Sequence, residues 1–247
     1  MAIRIREISA MPPAEVQQDD IEKRTKKLVN KIGELQRTLY AEARHSLLIV
    51  LQGMDASGKD GTARRVLAKT SAAGVDVYSF KKPTTEEFAH DFLWRVHRQV
   101  PRKGYIQVFN RSHYEDVLIQ RVHRWITEEH AIKRMEAINA FEDLLQFDNG
   151  TVVLKFYLHL DQERQREKLQ ERIDHPHKQW KHNPSDWDEH TRWDQYMTCY
   201  EDVINRSQIP WVIVPANVEW YRNYVVASKV YETLKELDPK LPGLSGS

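Results

Sequence analysis

The chain has 247 residues, 30% of them charged and 40% hydrophobic, with a formal net charge of +1. That balance excludes a disordered chain, and near-neutrality leaves any anion binding to local placement rather than to a global field. Its one cysteine, Cys199, excludes an internal disulfide and fits a reducing cytoplasm. No apolar run has membrane-spanning length, and the first six residues are too charged for a signal peptide, so a soluble cytoplasmic protein is expected.

Residues 1–16, with Pro12 and Pro13, are expected to form an irregular arm. Over about 20–43, Ile21, Leu28, Ile32, Leu35 and Leu39 recur at helical spacing. This predicts an amphipathic helix, packed on the domain or at an oligomer interface. Residues 46–52 form an Ile-, Val- and Leu-rich run, too short for a globular helix, and predict a buried strand. It empties into Gly53-Met54-Asp55-Ala56-Ser57-Gly58-Lys59-Asp60-Gly61-Thr62, and a helix is expected over 62–72, closed by Gly74. A second strand is expected over 75–80, ending in Lys81-Lys82-Pro83. Thr84-x-x-Glu87 has the form of a capping box opening a helix to about residue 99. A third strand over 105–109 leads to Asn110-Arg111-Ser112, then to helices reaching about 125 and spanning about 129–147. A fourth strand covers 151–158, and a charged helix starts near Asp161. A polar, aromatic stretch with Pro176 and Pro184 follows, then a helix over 185–206, a fifth strand over 210–215 and a last helix over 219–237. Residues 239–247 read as a loose tail. Strands alternating with helices imply an α/β fold, a parallel sheet covered on both faces. A single domain is expected, with arm and first helix over 1–45, core over 46–160 and 208–237, and a protruding lid over about 161–188.

Strand, Gly53-x4-Gly58-Lys59 and helix, in that order, form a phosphate-binding loop. The glycines let successive N–H groups point into one concavity, the helix adds its positive end, and Lys59 reaches terminal phosphates. The usual Ser or Thr after the lysine is replaced by Asp60, and Asp55 lies inside the loop. Bare carboxylates beside phosphates imply a divalent cation between them, so the loop predicts Mg²⁺, with Mn²⁺ as a substitute. Ligands of a parallel sheet sit beyond the strand C-termini, where Lys81, Lys82, Asn110, Arg111, Ser112, His159 and Asp161 also fall. Arg111 is read as a phosphate fork. The third strand ends in the neutral Asn110 where a metal-binding Asp is usual. Metal ligation therefore falls first to Asp55, and less to Asp60, Glu115 or Asp116.

The loop at 53–62 and Asn110-Arg111-Ser112-His113-Tyr114-Glu115-Asp116-Val117-Leu118 resemble the two motifs of the polyphosphate kinase 2 family. The likeness continues through Lys155-Phe156-Tyr157-Leu158-His159-Leu160, Trp180-Lys181 and Pro210-Trp211-Val212-Ile213-Val214-Pro215-Ala216, covering about 30–237. It implies a thymidylate-kinase-like fold with five parallel strands and a helical lid. It also implies Mg²⁺-assisted phosphoryl transfer between inorganic polyphosphate and nucleotides, AMP to ADP and ADP to ATP, reversibly. Asp55, Lys59 and Arg111 match catalytic motif positions. Gly53, Ala56, Ser57, Gly58, Asp60, Gly61 and Thr62 line the phosphate loop, with Lys81, Lys82, Asn110 and Ser112 beside it. The lid cations are drawn from Arg164, Arg166, Lys168 and Arg172. The His-Tyr-Glu-Asp segment resembles single-domain members that accept both AMP and ADP. Adenine nucleotides, with guanine nucleotides as an extension, and a homo-oligomer, dimer or tetramer, are the expected partners.

The chemistry of the residues agrees. A nucleotide phosphate attacks with an oxygen already ionised, so no general base is needed, and lysine, arginine and magnesium suffice. Arg164, Lys168 and Arg172 share one helical face, with Glu167 and Glu171 on a neighbouring one, leaving a basic stripe able to close over phosphates. His175, His177, His182 and Cys199 fit no familiar zinc spacing. Trp187, Trp193, Tyr196 and Tyr200 read as packing rather than as a base-stacking platform. Two other functions use the same loop: an ATP-dependent nucleoside monophosphate kinase, and a non-catalytic nucleotide- or nucleic-acid-binding protein. Near-neutral charge without a long basic stripe argues against nucleic acid.

Overall fold

The computed structural model describes residues 2–244. Strands β1 (Ser46–Gln52), β2 (Val75–Ser79), β3 (Ile106–Asn110), β4 (Thr151–His159) and β5 (Trp211–Pro215) form one sheet in the order β2-β3-β1-β4-β5. All four pairings are parallel. The central strand β1 is buried along its length and sends alternate side chains to opposite faces, as a strand must. Leu47, Ile49 and Leu51 enter one core with residues of α1 (Gln18–Glu42), α2 (Lys59–Val66) and α10 (Glu219–Leu237). Leu48 and Val50 enter the other, with residues of α6 (Glu128–Asn149) and α9 (Trp193–Arg206). The result is the three-layer α/β architecture expected for a phosphate-loop kinase.

Several helices depart from their sequence-based bounds. Helix α2 starts at Lys59, not 62, because Gly58 adopts a left-handed conformation (φ 95°) and the loop passes straight into the first turn. It ends at Val66 rather than 72, where Thr70 donates to the Leu67 carbonyl (2.7 Å) and the Ser71 N–H donates to Gln36 (2.9 Å). The helix expected over 84–99 is two single turns, α3 (Thr85–Phe88) and α4 (Trp94–His97). The Thr84–Glu87 capping box is present, but Asp91 accepts from the Leu93 N–H (2.9 Å) and restarts the chain. Residues after Ser112 form a 3-10 turn (His113–Val117) and a short α5 (Ile119–Val122) instead of one helix. The helix expected over 185–206 is divided at Arg192 into α8 (Ser185–Thr191) and α9, with Thr191 donating to the Asp188 carbonyl (2.7 Å).

The N-terminal arm is more ordered than expected. It has a 3-10 turn at Ile5–Glu7, Ile5 is fully buried in the core, and Ile3 exchanges two hydrogen bonds with Asn205 (2.7 and 2.8 Å). Residues 239–244 carry no helix or strand, and the remainder of the expected tail lies outside the described residues. Among the described residues no helix is long and apolar enough to cross a membrane.

Candidate active site

Because β3 lies between β1 and β2, the chain reverses its direction of winding at β1. Such a switch point opens a crevice at the strand C-termini. The segment 53–58 leaves β1 there with Gly53, Ala56 and Gly58 at φ 149°, 65° and 95°. A β-carbon on Gly53 would lie 2.7 Å from the Leu158 carbonyl oxygen, so the first glycine is required by both conformation and space. Ser57 is fully buried and its Oγ has no hydrogen-bond partner among the described residues.

Lys59, the first residue of α2, is 7% exposed. Its Nζ donates to the carbonyls of Gly53 (2.7 Å) and Met54 (3.1 Å), so the ammonium lies across the mouth of the loop it belongs to. Burial and the positive charge of Arg111 lower its pKa to about 8, against the opposing pull of Asp55, Glu115 and Asp60. No carboxylate pairs with it among the described residues.

Arg111, just past β3, adopts the left-handed conformation (φ 61°) and turns its guanidinium back to an ion pair with the Asp55 carboxylate. Glu115 stands 3.8 Å from the same guanidinium. Burial alone would raise the Asp55 carboxyl, but Arg111, Lys59 and Arg172 together hold it below its ordinary value. Asn110 donates to the Asp60 carboxylate, joining the end of β3 to the start of α2. Ser112 donates to Gln52 (3.2 Å), whose amide donates to Glu115 (2.9 Å). Asp55, Lys59, Asp60, Asn110, Arg111, Ser112 and Glu115 are therefore brought together.

Other sequence-derived candidates go elsewhere. Asp116 is taken up by Arg95 (3.3 Å) and Gln120 (2.8 Å), and burial raises its pKa despite Arg95 and Arg134. Its carboxylate is directed at Arg95 and Gln120 rather than into the loop. Lys81 and Lys82 are exposed, and β2 lies two strands from β1, about 10 Å across the sheet. His159 Nε2 donates to the Ile8 carbonyl (2.9 Å), and Asp161 caps α7 (Gln162–Asp174) by accepting from the Arg164 N–H (2.8 Å). Both are structural. The basic stripe on α7 is not free either. Arg164 pairs with Glu167 one turn on (2.5 Å), as neighbouring opposite charges on a helix do, and Arg172 with the buried Asp186 of α8 (Ser185–Thr191) (2.5 Å). Lys168 has no ion pair among the described residues; burial and its neighbour Arg164 lower its pKa.

Three features were not visible to sequence reasoning. Gln165 of α7 is fully buried and donates to the Asp55 carbonyl (3.1 Å), which fastens the base of the α7 segment to the loop. Asp186 on α8 holds Arg172, whose charge also reaches Asp55. Arg222 of α10 lies buried against the outside of the loop. The guanidinium leaves no room for a side chain at Gly58, a requirement added to that of its left-handed conformation, and no local sequence pattern carries that pairing.

A phosphate-loop backbone at a strand C-terminus, with a lysine and an arginine converging on it, is the arrangement of a phosphoryl-transfer enzyme of the phosphate-loop kinase class. The sequence profile of polyphosphate kinase 2 matches residues 15–242. The AMP/ADP-polyphosphate phosphotransferase of Meiothermus ruber is 47% identical over 218 residues, covering 87% of this chain and 81% of that one. The ADP-polyphosphate phosphotransferase of Rhodopseudomonas palustris is 40% identical, covering 87% and 79%. The crystal structure of polyphosphate kinase 2 from Arthrobacter aurescens TC1 superposes with a TM-score of 0.95 at 35% identity, covering 99% and 89%. The chain belongs to the polyphosphate kinase 2 family.

Proposed function

We propose that this chain moves a phosphoryl group between inorganic polyphosphate and AMP or ADP, reversibly and in line, as one kinase domain with residues 161–188 as its lid. The names of its relatives, polyphosphate phosphotransferases acting on AMP, ADP or both, support that substrate pair. The observation that carries it is Lys59, a buried ammonium held, among the described residues, by loop carbonyls alone, beside an arginine that is folded back on Asp55. Such cations are arranged for a polyanion that arrives later.

In this reading the loop N–H groups and Lys59 hold the transferring phosphoryl group, and the Arg111 fork takes up charge on its equatorial oxygens. The attacking nucleotide oxygen is already ionised, so no side chain has to remove a proton. Gln165 keeps the lid base in register with Asp55, and Lys168 adds a cation from the lid.

Mg²⁺ fits the donor set. Asp55 is held ionised, and Asp60 stands across the loop entrance from Asn110. Among the described residues no three His, Cys, Asp or Glu side chains converge into a metal cage. Mg²⁺ does not require one, since it takes one or two carboxylates and completes its shell with water and substrate phosphate oxygens. Asp55 would hold it, with Asp60 or Glu115 assisting, and bound Mg²⁺ would neutralise charge on the phosphates. Asp55→Asn is expected to raise the Mg²⁺ or Mn²⁺ concentration giving half-maximal rate by about tenfold. An unchanged magnesium titration would remove Asp55 from the metal site.

Donor choice tests the function as a whole. Polyphosphate with AMP or ADP is offered first, then ATP with a panel of monophosphates, and new nucleotide is followed by chromatography. Transfer from polyphosphate to both AMP and ADP is expected, and transfer from ATP alone would make the chain an ordinary monophosphate kinase. Repeating the assay with GMP and GDP reads base selectivity. The cytoplasmic location rests on the reducing environment implied by Cys199, and the homo-oligomer is read by light scattering.

A further inference from the structure

Arg222 is buried to 2% exposure, yet it has no carboxylate partner among the described residues. Its Nε donates to Thr62 Oγ1 (2.8 Å) and its Nη1 to the Ser57 carbonyl (3.3 Å). A β-carbon on Gly58 would lie 2.5 Å from the guanidinium carbon, so the planar group is pressed flat against the outside of the loop. Glu219, one turn earlier in α10, opposes the loss of its charge only through space, against the dominant effect of burial. A buried charge without a counter-charge is costly, and most are paired. Here the uncompensated positive charge stands directly behind the loop whose front receives phosphate. Arg222 thus adds a cation on the α10 side of the loop, while Arg111 approaches it from the β3 side.

We propose that Arg222 is a positioning residue for phosphoryl transfer: it clamps Ser57 and Thr62 from behind, fixes Gly58 in its left-handed conformation, and lends its unpaired charge to the phosphate cradle. Carbonyls that point outward are the reverse side of N–H groups that point inward. Holding the Ser57 carbonyl therefore aims the following N–H groups at the phosphoryl group. A Lys replaces it only in part, because its donors all leave one nitrogen, whereas the planar guanidinium reaches Thr62 and Ser57 from two nitrogens held in fixed relation. The proposal deepens the polyphosphate reading but does not depend on which phosphate donor is used.

The test compares wild type, Arg222→Met and Arg222→Lys, with tripolyphosphate and then ATP as donor and AMP as acceptor. Arg222→Met is expected to lower kcat about 10²-fold, as loss of a well-aimed donor does, with KM for AMP changed less than threefold. The ligand-free melting temperature should shift by only a few degrees, because an unpaired buried charge leaves along with its hydrogen bonds. The rise in melting temperature on adding tripolyphosphate should shrink to less than half that of wild type. Arg222→Lys should recover part of the tripolyphosphate shift, which follows charge, but less than a tenth of the wild-type kcat, which follows the two-point clamp. A kcat within twofold of wild type for Arg222→Met overturns the proposal. So does failure of both variants to fold, which would make Arg222 a packing residue. If wild type uses ATP and not tripolyphosphate, the substrate assignment falls, and the same three proteins assayed with ATP still decide the role of Arg222.

Discussion

Lys59 and Lys155 are both buried lysines beside the same sheet, and they are satisfied in opposite ways. Lys155, in β4, donates to the Glu142 carboxylate (2.6 Å) and the Tyr114 hydroxyl (2.7 Å), with the Tyr114 and Trp211 rings 5.2 and 5.3 Å from its ammonium. Tyr114 in turn donates to Glu142 (2.8 Å), and His113 Nε2 lies 3.3 Å from the same carboxylate. Every strong charge in that cluster has its partner inside the protein. Among the described residues Lys59 is satisfied by two carbonyls of its own loop alone, and its pKa is lowered to about 8. The first arrangement holds α6, the 3-10 turn and β4 together, and thereby anchors the segment that carries Arg111. The second leaves a charge whose best partner is a phosphate. Burial alone does not mark a functional lysine; burial without a counter-charge at a ligand crevice does.

The largest expected effect separates the two directly. Lys59→Ala should lower turnover about 10³-fold while leaving the melting temperature nearly unchanged. Turnover near that of wild type would take the loop lysine out of the reaction. Lys155→Met should do the converse, since it strips the buried Glu142 carboxylate of its ammonium partner, at a cost of about 3–5 kcal/mol. Urea unfolding measures that loss. Lys155→Met with Glu142→Gln should regain most of it, whereas simple addition of the two single-variant losses would show that the pair is not coupled.

Arg111→Lys sharpens the comparison on the functional side. The charge is kept and the fork is lost, so a fall in kcat of about 10²-fold is expected, with the ligand-free melting temperature of Arg111→Ala close to wild type. A normal rate with both AMP and ADP would end the fork assignment, and a strongly lowered melting temperature would make the Asp55 pair a fold contact.

The smallest effect is a pH dependence. Ligand-free Lys59 titrates near 8, and bound phosphate favours its charged form, so the bound pKa is higher. Between those two values binding takes up a proton, and affinity therefore falls as pH rises, by up to tenfold per unit. Tripolyphosphate affinity measured calorimetrically from pH 7 to pH 10 should fall for wild type relative to Lys59→Arg, whose charge does not titrate in that range. Parallel profiles for the two proteins would show that Lys59 stays charged in the free enzyme.

The strands and the loop were legible in the sequence because their signals are local. An uninterrupted apolar run such as Ser46–Gln52 is buried on both faces, and Gly53, Gly58 and Lys59 follow at fixed spacing on one continuous backbone. The interrupted helices were less legible. Residues 84–99 have helical periodicity, but Asp91 captures a backbone N–H and breaks the run, a competition that periodicity does not register. On α7, spacing placed Arg164, Lys168 and Arg172 on one face, but which of them was already paired depended on Asp186, a residue of another helix.

The sequence by itself therefore determined the α/β class, the phosphate loop, the Asn110-Arg111-Ser112 motif and, through its motifs, the family. Only the tertiary structure decided that Asp116 belongs to Arg95, that Arg111 folds back on Asp55, that Gln165 ties α7 to the loop, and that Arg222 stands behind Gly58. The physical reason is range. Backbone conformation and burial pattern are set by neighbours along the chain, whereas charge compensation is set by whichever groups packing brings within a few ångströms. Arg222 and Gly58 are 164 residues apart in the chain, and nothing near either one specifies the other.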